Sequence, residues 1–310
     1  MNGEAARASA NRGHGYGETI GGRDAGLTVL AYLAARYRQA DAEAWSRRIA
    51  EGRVILDGRI AGPSQILGAG QRLVWERPPW VEPEVPWVTA VLYEDEDLLA
   101  VAKPDGLPTL PGGGLFLEHT LLALVRRRAP EASPLHRLGR STSGLVLFGR
   151  TADARRRVQD AFREHRLRKV YRALCAGHPT REAFDVAAPI GEVPHSLLGT
   201  VHGASPEGRP SLSHVRVLER RDEGSLVEVE IETGRPHQIR IHLAFAGHPL
   251  LGDPLYGPGG VPLAGSPALP GDPGYKLHAL ALELVHPRTG RPLSLWCLPP
   301  PPLRREAGEP

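Results

Sequence analysis

Four prolines stand close together between Arg77 and Trp87, at positions 78, 79, 83 and 86. Because proline fixes φ and has no amide hydrogen, this stretch cannot form a helix and favours an extended spacer. Both ends of the chain lack apolar periodicity and are rich in small, polar or proline residues, which is typical of mobile segments. The predicted organisation is a flexible tail (1–26), a small domain (27–76), a proline-rich linker (77–90), a larger domain (91–299) and a second flexible tail (300–310).

The small domain shows the pattern of two helices followed by a β-hairpin and a closing strand. Apolar residues recur at helical spacing from Leu27 to Ala35, and a second short helix carries Trp45 and Ile49. An Asp-Gly turn follows a predicted strand at 54–56. The segment AEAWSRRIAEGRVILDGRIAGPSQILGAGQRLVW resembles the S4 RNA-binding domain. That resemblance implies that basic side chains of this domain contact structured RNA, namely Arg47, Arg48 and Arg53.

The larger domain alternates strands with helices, and we predict a mixed α+β fold. Residues 145–148 are continuously apolar, as in a buried strand. Residues 227–231 alternate valine or isoleucine with glutamate, as in a sheet with one face in water. Thr151 is placed to cap a following amphipathic helix, and a further helix is expected between Pro236 and Gly247.

Positive charge is concentrated in one part of the chain. The net charge is only +3, but residues 126–172 hold fourteen basic and four acidic side chains, a local excess of +10. A basic block in an otherwise acidic chain indicates a polyanionic partner, and nucleic acid is the commonest one. The alternative is a solvated arginine-rich helix without such a partner.

Several common chemistries are excluded because their motifs are incomplete. The run Gly139–Ser143 lacks the last glycine of the serine-hydrolase motif Gly-x-Ser-x-Gly. Pro111–Gly114 lacks the Lys-Ser/Thr of a phosphate-binding loop. His237 and His242 are five residues apart rather than four, and His248 lies beyond the predicted helix, so we expect no metal site.

The chain carries no sequence signal for export. Residues 1–10 lack the apolar centre of a signal peptide, and no apolar stretch approaches the roughly 20 residues that a bilayer requires. Cys175 and Cys297 are isolated in the sequence, and each stands in an apolar segment with a strand-like pattern. This use of cysteine is typical of proteins in a reducing compartment. We therefore expect a cytoplasmic protein without a membrane partner.

Five stretches of the larger domain resemble, in order, the motifs of one enzyme family, the RluA-type pseudouridine synthases. The resemblance implies isomerisation of uridine in RNA, in which the base is released from C1′, turned and rejoined through C5. It implies no metal or organic cofactor, and an RNA partner, either ribosomal or transfer RNA; we expect a monomer. The stretches are YEDEDLLAVAKPDGLPTLPGG, PLHRLGRSTSGLVLFGRT, RKVYRALCAG, ETGRPHQIRIHLAFAGHPLLGDPLYG and LHALALELVHPRTGRPL.

Motif positions assign roles to individual residues. Tyr171 matches the family tyrosine that packs on the uracil and assists removal of the C5 proton; the alternative is an ordinary core tyrosine. Arg240 matches the arginine that pairs with the catalytic carboxylate; the alternative is a helix-surface arginine. Asp253 is expected to be a structural hydrogen-bond acceptor. The residues expected to contact RNA in this domain are Arg137, His136, Arg140, Lys169, Arg235 and His237.

One position departs from the family pattern. The fourth residue of the family motif HRLD is the aspartate on which the chemistry depends, and here it is Gly139. Glycine offers neither a nucleophile nor a base. Arg240 is then expected to face an empty position, and an unpaired buried charge costs several kcal/mol unless another group compensates it.

Three alternatives follow from Gly139. A carboxylate from elsewhere substitutes, for which Asp105 in KPDGL is the candidate. The chain is a non-catalytic descendant that binds RNA, such as an assembly factor. Or it represents a branch in which HRLGRSTSG is the normal form and the mechanism differs. If only the carboxylate is absent, Gly139→Asp is expected to create or raise activity.

Overall fold

The computed structural model describes residues 10–37, 40–112, 114–306 and 308. The chain divides into two compact units, Met1–Glu82 and Pro83–Pro310. Their boundary falls inside the stretch that the sequence predicts as a linker. Across the described residues, none of the helices has the length and apolar character needed to cross a membrane.

The smaller unit packs two helices on a four-stranded antiparallel sheet with the strand order β1-β4-β2-β3. Thr28 and Asp41 cap the helices by accepting hydrogen bonds from the amides of Ala31 and Ala44. Trp45 lies at the centre of its core and is fully buried. The elements are β1 (His14–Thr19), α1 (Val29–Arg36), α2 (Ala42–Ala50), β2 (Val54–Leu56), β3 (Arg59–Ile60) and β4 (Arg72–Arg77).

Both predicted tails are partly ordered, so those predictions were wrong where the chain is described. Strand β1 lies within the expected first tail and pairs with β4 through its backbone, an interaction that needs no apolar pattern. Tyr16 of β1 stacks on Trp75 at a ring distance of 5.4 Å. At the other end, Pro301–Leu303 form a 3₁₀ turn, and Leu303 is buried. Residues 1–9, 307, 309 and 310 of the expected tails lie outside the described residues.

The larger unit is built on a ten-stranded mixed sheet, which confirms the α+β prediction. The main strand order is β10-β13-β14-β9-β15-β8-β6-β5, with β16 on β15 and β7 on β8. All its pairings are antiparallel except β8 with β15. Strands β11 and β12 form a separate hairpin. The strands are β5 (Ala90–Glu94), β6 (Leu98–Lys103), β7 (Ser133–Pro134), β8 (Thr142–Gly149), β9 (Arg168–Cys175), β10 (Ala183–Val186), β11 (Ile190–His195), β12 (Gly199–Ala204), β13 (Ser213–Arg221), β14 (Gly224–Ile231), β15 (Leu277–Val285) and β16 (Pro292–Trp296).

Three helices accompany this sheet, and one of them is almost entirely enclosed. Helix α5 buries every residue from Gln238 to Ala244, including charged Arg240. The predicted helices after Thr151 and after Pro236 are both present. The helices are α3 (Leu121–Arg126), α4 (Ala152–Arg163) and α5 (Gln238–Phe245).

The centre of the sheet brings the motif segments together. Strand β15 lies between β9 and β8, and Ala279 of β15 stands opposite Tyr171 on one side and Gly144 on the other. Gly144 has a φ of +113°, and a Cβ there would lie 2.3 Å from the Ala279 carbonyl oxygen. Only glycine permits this approach, which fixes the chain that follows the Gly139 loop against β15.

Candidate active site

Gly139 lies on an exposed loop between β7 and β8, and a tyrosine hydroxyl stands where its side chain would begin. A Cβ at Gly139 would be 2.8 Å from Tyr275 Oη and 3.5 Å from Thr142 Oγ1. Tyr275 precedes β15 and is only 2% exposed. Its hydroxyl lies 3.3 Å from Thr142 Oγ1. The space that the family aspartate would enter is therefore occupied by the Tyr275 phenol.

Arg240 is fully engaged by a carboxylate, so the expectation that it faces an empty position was wrong. Its Nε and Nη2 donate to the two oxygens of Asp253 at 2.7 and 2.8 Å, and its Nη1 donates to the Pro270 carbonyl at 2.8 Å. Burial is the largest single effect on Arg240 and lowers its pKa, but the hydrogen bonds to Asp253 and the charges of Asp253, Tyr275 and Tyr256 together outweigh burial and raise the pKa. Asp253 also accepts the amides of Leu255 and Tyr256. It is thus the hydrogen-bond acceptor that the sequence suggested.

The same guanidinium holds the tyrosine in place. The Arg240 guanidinium carbon lies 4.2 Å from the Tyr275 ring centroid and 4.9 Å from that of Tyr256, both within cation–π range. A continuous series of contacts therefore runs from Asp253 through Arg240 and Tyr275 to Gly139.

Tyr171 lies at the junction of two hydrophobic clusters. On β9 it packs against one cluster that contains Tyr275 and another that contains Leu138, the neighbour of Gly139. The residue is partly exposed. Burial of its hydroxyl raises the pKa of Tyr171 to about 12, so the phenol is neutral at physiological pH. The structure thus brings Tyr171, Arg240 and Gly139 to one region.

The KPDGL loop is tied to the loop that carries Gly139. The Gly106 amide donates to the Arg140 carbonyl at 2.9 Å, and Lys103 Nζ donates to that same carbonyl at 3.0 Å. Burial lowers the pKa of Lys103 to about 7, an effect that the charge of Asp105 opposes. Asp105 is exposed, and its charge also raises the pKa of Tyr275, although burial is the larger cause. Asp105 therefore lies within electrostatic range of the tyrosine at Gly139.

Three of the predicted RNA-binding residues, Arg137, Arg140 and Arg235, are exposed or partly exposed. Arg137 is exposed. Arg140 donates from Nε to the Gly271 carbonyl at 3.0 Å, and its guanidinium lies 5.4 Å from the Phe116 ring centroid. Arg235 donates from Nε to the Pro210 carbonyl at 3.2 Å. Arg137 and Arg140 flank Gly139 in the chain, so positive charge stands on both sides of the exposed loop.

The other three direct their polar atoms to protein partners. His136 Nε2 accepts the Leu147 amide at 3.0 Å, and burial lowers the pKa of His136 to about 4. Lys169 Nζ donates to two main-chain carbonyls, at 3.2 and 3.3 Å, and Lys169 is buried. His237 Nδ1 lies 2.7 Å from Tyr256 Oη, and burial lowers the pKa of His237 to about 3. These contacts give all three a structural role.

Carboxylates from outside the basic stretch offset much of its charge. Arg168 on β9 contacts Glu230 and Glu283 at 2.9 and 2.7 Å. Within the stretch itself, Arg157 on α4 contacts Asp153 at 2.6 Å. Glu230 and Glu283 are distant in sequence, so the excess of +10 counted along residues 126–172 overstates the charge in space. The alternative of a solvated, ion-paired face describes α4, whereas the basic character of the site comes from the Gly139 loop.

Within the described part of the chain, one group of side chains has ligand atoms close enough to hold a metal ion: Asp95, Asp97 and His286. Its atoms are already engaged, because Asp95 hydrogen-bonds His286 and the Tyr93 hydroxyl at 2.7 and 2.6 Å, and Asp97 is bound by Arg288. His242 and His248 contact different protein partners, which are Ser211, Ser213 and Ala188 for the first and Ala176 for the second.

Sequence reasoning missed two residues of the site. Tyr275 stands two residues before the recognised motif that starts at Leu277, and nothing in its local sequence marks it. Lys103 is buried and donates to three main-chain carbonyls. A lysine between two apolar segments is the sequence signal that could have found it, because a buried charge needs such partners.

Comparisons with known proteins agree with this geometry. The family model described as RNA pseudouridylate synthase matches residues 97–245. An uncharacterized RNA pseudouridine synthase of Synechocystis is 47% identical over 277 residues, covering 89% of this chain and 95% of the relative. Ribosomal large subunit pseudouridine synthase D of Nitrosomonas europaea is 36% identical over 216 residues, covering 68% and 62%. The solved structure of human RNA pseudouridylate synthase domain containing 1 is similar with a TM-score of 0.55 and 28% identity, covering 71% of this chain and 86% of that one.

Proposed function

Because the chain belongs to the RluA-type family of RNA pseudouridine synthases, we propose that it isomerises uridine to pseudouridine in structured RNA. The observation that carries this proposal is the position of Tyr171, partly exposed between the clusters that hold Leu138 and Tyr275. An aromatic ring at such a place offers a stacking surface to a base that has left its helix.

The reaction exchanges one glycosidic bond for another. The N1–C1′ bond breaks, the uracil turns and a C5–C1′ bond forms. The proton on C5 then passes to solvent while N1 takes up a proton, so the product is an isomer of the substrate. Tyr171 packs on the uracil, and its hydroxyl assists removal of the C5 proton. Burial raises the pKa of Tyr171 to about 12, so the phenol is neutral before the reaction. The arginines beside Gly139, Arg137 and Arg140, hold phosphates of the strand that carries the target nucleotide.

Asp105 is the carboxylate that we propose takes the role of the missing aspartate. It is exposed, and among the described residues no hydrogen bond or ion pair engages its side chain. Its loop is bonded to the Arg140 carbonyl through Gly106 and Lys103, which fixes it beside the Gly139 loop. A free carboxylate held at this place is the group that the chemistry at C1′ requires.

The test is release of tritium from RNA labelled at uracil C5, which reports only the completed isomerisation. We expect Asp105→Asn and Tyr171→Phe to lower the rate at least a hundredfold, with little change in RNA affinity. Asp222→Asn, an exposed aspartate on the turn between β13 and β14, is the matched control and should retain the full rate. Normal turnover by Asp105→Asn would assign the carboxylate role to another group.

A second candidate function is RNA binding without catalysis, and one observation favours it. The position of the family carboxylate is glycine, and a tyrosine hydroxyl occupies its space. In that case wild-type protein releases no tritium from any transcript, yet binds RNA with a strong dependence on salt. Ribosomal and transfer RNA transcripts should both be assayed. The relative from Nitrosomonas europaea is named for the large ribosomal subunit, so we propose ribosomal RNA as the first substrate to examine.

A further inference from the structure

His237 precedes α5 in a backbone conformation that few side chains adopt. Its φ is +56° and its ψ is 19°, in the left-handed region. Residues other than glycine are uncommon there, although histidine occurs more often than most. Such conformations persist only where the surrounding contacts hold them, and they are concentrated at functional sites. The backbone at His237 thus marks it as a candidate functional residue.

One hydrogen bond fixes which nitrogen of the His237 ring carries the proton. The Tyr256 hydroxyl donates to the His202 carbonyl oxygen at 2.7 Å, and because a carbonyl can only accept, the single hydroxyl proton is used there. His237 Nδ1 lies 2.7 Å from the same hydroxyl oxygen, so Nδ1 is the donor in this contact. In a neutral ring the other nitrogen, Nε2, then has no proton and is a hydrogen-bond acceptor.

The surroundings of His237 keep its ring neutral. Burial is the main reason that the pKa of His237 is lowered to about 3. The charges of Arg240, His202 and Arg137 act in the same direction. The charge of Asp253 opposes them. The ring is therefore uncharged at physiological pH, and Nε2 remains an acceptor instead of becoming a second donor.

Nε2 is accessible to a ligand. Within residues 10–37, 40–112, 114–306 and 308, no group hydrogen-bonds this nitrogen. The His237 side chain is partly exposed, and the buried side-chain atoms that lack a partner in the same ranges belong to other residues. Nε2 therefore faces solvent in the free protein, and a donor group of a ligand can reach it.

The open nitrogen belongs to the candidate active site. Tyr256, to which His237 is bonded, lies against the Arg240 guanidinium at 4.9 Å from its ring centroid. The same guanidinium contacts the tyrosine beside Gly139. Arg137, whose charge acts on His237, stands on the Gly139 loop. A nucleotide that enters this site is thus expected to meet Nε2.

We infer that His237 Nε2 accepts a hydrogen bond from the target uridine and that His237 determines specificity. Two groups of a uridine can donate, N3–H of the uracil and the 2′-hydroxyl of the ribose. Cytosine has no hydrogen on N3, and deoxyribose has no 2′-hydroxyl, so a fixed acceptor selects either the base or the sugar. The identity of the ligand rests on the proposed function, whereas the open acceptor rests on the contacts of Tyr256.

The test compares the affinity of the full-length protein for three end-labelled single strands by fluorescence anisotropy. They are hexauridylate, hexacytidylate, which lacks the N3 donor, and hexadeoxyuridylate, which lacks the 2′-hydroxyl. Wild-type protein should bind hexauridylate more tightly than one of the other two, by about two- to tenfold for a single neutral hydrogen bond. Equal affinity for all three would overturn the inference.

His237→Asn removes the acceptor and keeps the structural contact. The asparagine amide stands at the place of Nδ1 and can still donate to Tyr256, and asparagine accepts the left-handed backbone. Nothing replaces Nε2. The variant should melt at the wild-type temperature, bind hexauridylate about two- to tenfold more weakly and lose the preference that wild-type protein shows. His237→Gln, whose longer amide reaches the place of Nε2, should recover most of the affinity.

The matched control is His165→Asn. His165 also has a left-handed backbone, with a φ of +54°, and it is exposed after α4. Its Nδ1 lies 3.0 Å from the Glu232 carbonyl oxygen, so the same substitution again retains a donor in place of Nδ1. His165→Asn should bind all three strands as wild-type protein does.

The pattern of lost preference identifies the donor. Loss of the preference over hexacytidylate in His237→Asn assigns it to N3–H, and loss of the preference over hexadeoxyuridylate assigns it to the 2′-hydroxyl. A His237→Asn protein that retains the wild-type preferences shows the inference to be wrong, whether or not its melting temperature falls.

Tritium release distinguishes this inference from the proposed function. Wild-type turnover that His237→Asn leaves unchanged in both kcat and KM would overturn the role of His237 and leave the function standing. Absence of wild-type turnover together with the expected loss of preference would overturn the function and leave the acceptor standing.

Discussion

Substituting aspartate for Gly139 probes the most unusual feature of the site. The φ of Gly139 is outside the left-handed region, so the backbone accepts a side chain there. The new Cβ would nevertheless lie 2.8 Å from Tyr275 Oη, closer than such atoms approach in proteins. Tyr275 is 2% exposed and has the Arg240 guanidinium on its ring, so it cannot move aside freely. Overpacking of this kind costs about 1–3 kcal/mol.

We therefore expect Gly139→Asp alone to lower the free energy of unfolding by about 1–3 kcal/mol and to leave tritium release unimproved. Adding Tyr275→Phe should relieve the strain, because no ring carbon of Tyr275 is among the described atoms within 4 Å of that Cβ. The remaining cost is the contact between Tyr275 Oη and Thr142, about 1 kcal/mol. Because we propose that Asp105 is the reactive carboxylate, the double variant should release tritium no faster than Tyr275→Phe alone.

Urea denaturation of the four proteins of this double-mutant cycle measures the effect. The coupling between the two substitutions should be favourable by about 1–3 kcal/mol. Gly62→Asp is the control, since no atom of the described chain lies within 4 Å of a Cβ at that exposed position. A Gly139→Asp protein as stable as wild type, with a coupling near zero, would refute the argument that Tyr275 fills this space.

Two further predictions concern buried charge. Asp253→Asn should lower the free energy of unfolding by about 3–5 kcal/mol in urea denaturation, because it leaves the Arg240 charge buried without its partner. The control is Glu230→Gln, which breaks an exposed pair and should cost less than about 1 kcal/mol. Equal costs for the two variants would contradict the prediction. The pKa of His136 is lowered from 6.5 to about 4, so below pH 6.5 the unfolded chain binds a proton that the folded chain refuses, and stability falls as the pH decreases to about 4. His136→Gln should reduce that loss by roughly 3 kcal/mol between pH 7 and 4; denaturation curves with the same pH dependence in both proteins would exclude it.

Local sequence patterns were sufficient to predict the elements that bury one face of a strand or one face of a helix. The valines of β14 alternate because one side of the sheet is buried, and α4 shows an apolar stripe behind the cap at Thr151. Strand β1 has no such pattern. It is glycine-rich and exposed, and it forms because β4 offers an unpaired edge, which is a property of another segment of the chain.

The residues of the candidate site also fall into two groups, those that the sequence could predict and those that depend on tertiary packing. Tyr171 and Arg240 could be recognised because each stands inside a motif, and the structure places both near Gly139. The partner of Arg240 could not be chosen from sequence, because Asp253 reaches it only after the chain has left α5 and turned back. The position of Tyr275 likewise depends on tertiary packing and has no local signal.

These contacts bear on the three alternatives that Gly139 left open. Loss of an aspartate from an otherwise ordinary site would leave a buried arginine without a carboxylate and a space without a side chain. Here Arg240 has both oxygens of Asp253, and Tyr275 Oη stands where residue 139 would extend. Glycine is the residue that this packing accepts, since any Cβ would strike the phenol. The arrangement therefore favours a branch in which glycine is the normal residue at this position, and it is the reason to look for the reactive carboxylate at Asp105 rather than to restore one at 139.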